Sequence, residues 1–153
     1  MPLSKRYVDH PSSRVRFHLM PAWDRFDPAG YADEVLAQMD TQDFLVRVSS
    51  PETLCALPRL GPRPRLAFAG PRRLADIIRA LPEGVRKISL SKNPLLQDLR
   101  SLTTQGSRDQ VSLSACPELA GLSPLVDLGL TELYLHGLDG VSGPDRLTTL
   151  RDR

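Results

Sequence analysis

The run from Val111 to Leu125, VSLSACPELAGLSPL, restricts the fold more than any other stretch, because its spacing returns in both directions along the chain. Its template positions are offsets 0, 2, 5, 8, 11 and 14, filled by Val111, Leu113, Cys116, Leu119, Leu122 and Leu125. Counted from Ile88, the same offsets give Ile88, Leu90, Asn93, Leu96, Leu99 and Leu102; counted from Leu133 they give Leu133, Leu135, Leu138, Val141, Pro144 and Leu147. The template therefore recurs after 23 and 22 residues. Offsets 0 and 2 share one face of a strand because side chains alternate, so one face is buried and the other is wet. Offset 5 falls where the chain turns inward, and a small polar side chain such as Asn93 or Cys116 can satisfy backbone groups left open by the turn. The later positions advance by three, the spacing of a short 3₁₀-like or helical return segment with one apolar edge. A single coil cannot bury that edge, but stacked coils share one continuous core.

Upstream, the register continues. Val46, Val48, Pro51, Leu54, Leu57 and Leu60 make one coil, and Leu66, Phe68, Pro71, Leu74, Ile77 and Ala80 another. Pro71 is expected to open a helical turn that runs through Leu81 and stops at Pro82 and Gly84. The first coil is read from Val15, Phe17, Met20, Trp23 and Phe26 as a strand with bulky side chains. An α-helix is expected to follow, capped by Asp27, started by Pro28 and ending near Asp40. Coil starts at 15, 46, 66, 88, 111 and 133 are separated by 31, 20, 22, 23 and 22 residues. An open sheet of the Rossmann kind is the rival, but a parallel βαβ crossover takes about 30 residues or more, a length only the first step reaches. Neither a Gly-x-Gly-x-x-Gly nor a Gly-x-x-x-x-Gly-Lys-Ser/Thr motif supports a nucleotide site.

A period of this length with this outline resembles the leucine-rich repeat family. The run Leu119-Ala-Gly-Leu122-Ser-Pro-Leu125-Val-Asp-Leu128-Gly-Leu130-Thr-Glu-Leu133 is similar to the family's bacterial 22-residue type. The likeness is direct over residues 85–138 and reaches 14–84 by register, where Pro51 and Pro71 stand in place of Asn. Repeats of this composition are also similar to the C-terminal sensor arrays of bacterial STAND and NACHT NTPases; with no NTPase motif present, that kinship concerns the sensor part alone. The resemblance implies an α/β leucine-rich-repeat solenoid, a short horseshoe with a parallel β-sheet on its concave face and short helical or 3₁₀ returns. Three regions are expected: an N-terminal tail or cover over 1–13, where Tyr7 and Val8 are the candidates to pack; a solenoid of about six coils over 14–138; and a cap or tail over 139–153.

Composition excludes several classes. With 153 residues, 41% hydrophobic and 25% charged, the chain reads as one soluble domain, and no apolar run approaches a membrane span or signal peptide. A cytoplasmic location is the expectation. Cys55 and Cys116 make no metal-ligand cluster; Cys116 takes the turn position and Cys55 is expected to be packed in a return segment. No cofactor and no metal are expected. Residues 1–100 hold 16 Lys/Arg against 11 Asp/Glu, and 101–153 hold 4 against 7, so the chain is basic first and acidic later.

His10, His18 and His136 are scattered, and no nucleophile, base or carboxylate pair falls at catalytic spacing, so an enzyme is not expected. The informative pattern is the outward strand face. Its basic members, Arg14, Arg16, Arg47, Arg65 and Lys87, are expected to form a strip for an acidic partner, because like charges on neighbouring strands call for screening. The middle strands carry small Ser and Ala as a shallow floor, with outward Tyr134 as an aromatic anchor and His136 beside it. The expected function is a protein-interaction or ligand-sensing module, as an inhibitor, immunity or sensor component, whose partner is another protein with an acidic patch. Nucleic-acid binding through the basic half is the alternative, to be told apart by a steep salt dependence. Both ends of a stack are potential edges, so self-association through an end is also expected.

Overall fold

The computed structural model describes residues 6–39, 45–139 and 141. It is an α/β structure whose five strands form one all-parallel sheet in the sequential order β1-β2-β3-β4-β5, joined by short helices. The strands are β1 (Val46–Val48), β2 (Arg65–Ala69), β3 (Lys87–Ser91), β4 (Gln110–Ser114) and β5 (Glu132–His136). No helix among the described residues is long and apolar enough to cross a membrane. The chain divides into two compact units, the first taking residues up to Leu66 together with Ala80–Val85, the second taking Ala67–Arg79 and everything from Arg86 on.

In the first unit the expected opening strand is absent. Val15 and Phe17 belong instead to a helix, α1 (Ser13–Leu19), followed by a 3₁₀ turn over Met20–Arg25. The alternation of Val15 and Phe17 imitated a half-buried strand, yet Phe17 is 54% exposed. In a helix Val15 and Leu19 share a face four residues apart, and Arg16 and His18 fall in the last turn, where the helix dipole favours cations. Met20 and Trp23 do reach the core, and the Trp23 indole Nε1 donates to the carbonyl of Arg47 at 3.0 Å. The expected helix after Asp27 is present as α2 (Pro28–Glu34), with the Asp27 carboxylate accepting from Gly30 N at 2.7 Å. It is shorter than expected, because Val35 leaves helical geometry and a 3₁₀ turn follows over Leu36–Gln38. In the tail, Val8 is buried whereas Tyr7 is exposed.

After β1, Ser50 and Thr53 form a capping box that starts α3 (Pro51–Ala56). Thr53 is fully buried and its hydroxyl bonds only locally, accepting from Ser50 N at 3.0 Å and donating to Ser50 O at 2.9 Å, while Pro51 faces solvent. Cys55 corrects a second expectation, since it is exposed on α3 rather than packed. Arg63 is only 6% exposed. Its guanidinium donates from Nη2 to the carbonyl of Leu36 and from Nη1 to that of Met39 at 3.4 Å. A buried cation is tolerated when donors and acceptors are matched in this way.

In the second unit the template is met position by position in two successive repeats, while Leu133, Leu135 and Leu138 of the next are half-buried. Ile88, Leu90, Asn93, Leu96, Leu99 and Leu102 are all buried, as are Val111, Leu113, Cys116, Leu119, Leu122 and Leu125. Strands β3, β4 and β5 pair with no slip: Ile88 faces Val111, which faces Leu133, and Leu90 faces Leu113, which faces Leu135. 3₁₀ segments follow over Arg100–Gln105 and Ser123–Leu128, and Ala120 N donates to Gln97 O at 3.0 Å between equivalent positions of successive sequence repeats. Helix α4 (Leu74–Ala80) begins three residues after Pro71. The expected cover over 139–153, including Pro144 and Leu147, lies outside the described residues except at Asp139 and Val141.

Candidate binding face

Two devices hold the second unit's sheet face in place. On one side, Asn93 is buried at the turn after β3. Its Oδ1 accepts from Arg72 N at 3.1 Å and Leu95 N at 3.0 Å, and its Nδ2 donates to Arg72 O at 2.7 Å. One side chain thereby satisfies three backbone groups and ties the turn after β3 to the segment after β2. Cys116 fills the same position after β4, its thiol donating to Ser114 O at 3.4 Å and Leu90 O at 3.9 Å. Burial pushes the Cys116 thiol up from its ordinary pKa, which keeps it protonated and a poor nucleophile. On the other side, Asp109 N and Gln110 N donate to Arg86 O at 2.9 and 3.2 Å. Thr131 N and Glu132 N repeat the arrangement onto Asp109 O at 2.9 and 3.0 Å.

Between these seams the wet side of β3, β4 and β5 presents three rows. Lys87, Gln110 and Glu132 are in register, then Ser89, Ser112 and Tyr134, then Ser91, Ser114 and His136. Neighbours within a row stand about 4.8 Å apart. Tyr134, 54% exposed, donates from its hydroxyl to Glu132 Oε2 at 3.2 Å. That bond, then the charge of Glu132, raises the phenol's pKa. Ser91 Oγ donates to Phe68 O at 3.4 Å. Among the described residues, the side chains of Lys87, Ser89, Gln110, Ser112, Ser114 and His136 hold no hydrogen bond or ion pair.

The seven residues singled out in the sequence separate into groups. Lys87, Tyr134 and His136 come together on this one face. Arg47 is exposed in the middle of β1, Ser49 Oγ just after that strand donates to Asp24 at 2.6 Å, and Arg65 is half-buried at the start of β2. Arg14 and Arg16 are corrected: both belong to α1 and to no strand, and Arg16 Nη1 donates to His10 O at 2.6 Å. A strand-borne strip that includes them does not exist. Sequence reasoning passed over Gln110, Ser112 and Glu132 as site residues, although their outward offsets placed them on the face; charge alone drew attention to the arginines. No group of three or more His, Cys, Asp or Glu among the described residues is placed to hold a metal ion.

No family model matches this chain, and neither a curated protein nor a solved structure matches it.

Proposed function

We propose that the chain is a leucine-rich-repeat-like stack of the 22-residue kind and that it binds another protein through the outward face of β3, β4 and β5. One observation carries this reading: three strands in unbroken register raise nine outward side chains over an apolar inner face, and six of the nine have no partner among the described residues. Side chains kept for structure are engaged by their neighbours, as Asn93 is. The sheet already fixes the backbone that carries these side chains, so binding has to order the side chains alone. Tyr134 stands above small serines as the aromatic anchor. The repeat period supports the stack, as does the recurrence of one hydrogen-bond geometry from coil to coil: Leu96 N donates to Asn93 O, Leu119 N to Cys116 O and Val141 N to Leu138 O, all at 3.3–3.4 Å. We propose no catalytic role for the chain.

The test is selection of binders from a random-peptide display library on the native chain, followed by affinity measurement on two variants. Ser112→Trp fills the middle of the floor and is expected to weaken the selected peptides by about tenfold or more. Glu118→Trp, on an exposed return position, is expected to leave affinity unchanged. Equal binding by native chain and Ser112→Trp would remove the face from consideration.

A further inference from the structure

We propose that this face selects an extended polypeptide segment of mixed charge that lies across the strands, with an acidic side chain over Lys87 and a basic side chain beside Glu132. The proposal rests on the reading above that β3–β5 is the binding surface, and adds the chemistry of what binds. Its basis is the first row of the lattice, where Lys87, Gln110 and Glu132 place a cation, a neutral amide and an anion on three successive strands. Two strand spacings put their backbone positions about 10 Å apart. Lys87 and Glu132 make no ion pair with each other. Glu132 is instead steadied by the Tyr134 hydroxyl at 3.2 Å, and Lys87 has no partner among the described residues. Gln110, between them, offers both a donor and an acceptor to a passing main chain.

The second row sets the path. Ser89 and Ser112 are short and Tyr134 is tall, so a segment lies over the serines and meets the aromatic ring at β5. An extended peptide advances about 3.3 Å per residue, so the two charges of the ligand fall about two to four residues apart. A nucleic-acid backbone fits poorly, because a row of phosphates finds one cation and then the repulsion of Glu132. The arginines that suggested a basic strip are not part of this lattice.

The same display library decides the matter on native chain, Lys87→Glu and Glu132→Lys, each checked for native circular dichroism. Native chain is expected to enrich peptides with one acid and one base about two to four residues apart. Lys87→Glu is expected to replace the acid by a second base, and Glu132→Lys to replace the base by a second acid. Neutralising the peptide's acid is expected to weaken binding about fivefold on native chain and to strengthen it on Lys87→Glu, where that acid meets a like charge, and neutralising the base is expected to do the same on native chain and Glu132→Lys. If all three proteins enrich peptides of the same charge content, the inference is overturned. Proposed binding at this face still stands in that case, provided Ser112→Trp abolishes it. Failure of native chain to enrich any peptide overturns both.

Discussion

Asn93 shows how one side chain can hold together two segments 21 residues apart. It meets three backbone groups from a buried position, and replacing it with alanine leaves Arg72 N, Arg72 O and Leu95 N without those bonds. Because Arg72 is half-buried, water reaches part of the gap, and the expected loss is about 2–3 kcal/mol in urea unfolding with an unchanged slope. Tyr134 carries a second prediction at this scale. Its folded pKa is raised by the bond to Glu132 and by that residue's charge, so the neutral phenol is the favoured form. The bond is present below the phenol's ordinary pKa of about 10 and is lost as pH climbs through the raised value. An NMR titration of the Tyr134 ring is expected to show late ionisation that Glu132→Gln brings back toward the ordinary value. Late ionisation retained in that variant would mean Glu132 is not the cause.

Elements were legible in the sequence where each template position is buried, as in the coils begun by Ile88 and Val111, and misread where one apolar residue is not. Phe17 supplied half of the apparent alternation at Val15, and its exposure removes the strand. A second repeat runs beside the leucines. Gly61, Gly84, Gly106 and Gly129 all take positive φ and recur at 23, 22 and 23 residues, four or five positions ahead of each strand's first core residue. Gly106, at φ 83° and ψ −173°, occupies a region that a side chain strongly disfavours, while a Cβ there would touch nothing within 4 Å. Gly106→Ala is therefore expected to cost about 1–3 kcal/mol from backbone strain alone. Four positions after the first core residue, Gly70, Lys92, Ala115 and Gly137 also share positive φ. Ala115→Gly is expected to stabilise by about 0.5 kcal/mol, left-handed strain outweighing the extra freedom of the unfolded chain. Thermal unfolding in which Gly106→Ala matches the parent would contradict this account of the turn.

At the scale of the whole molecule, the parallel sheet and its sequential strand order followed from the period of apolar residues, because the period fixes which residues become neighbours on adjacent strands. Positions set by long-range polar contacts did not follow. Arg63 and Arg108 sit three residues ahead of Leu66 and Val111, the place that Val85 and Leu130 take ahead of Ile88 and Leu133, and all four are buried. A sequence pattern assigns arginine to the surface, and only carbonyls far away along the chain, those of Leu36 and Met39 for Arg63, bring it in. The candidate face was half legible: outward offsets located it, but charge counting weighted Arg14 and Arg16 over Gln110, Ser112 and Glu132. The central claim is that successive coils lie in register, and cross-strand backbone NOEs in an isotope-labelled sample test it most directly. The expected contacts link Ile88 to Val111 and Val111 to Leu133. Contacts shifted by one residue, which turn the serines inward and the leucines out, or contacts joining Ile88 directly to Leu133, would contradict it.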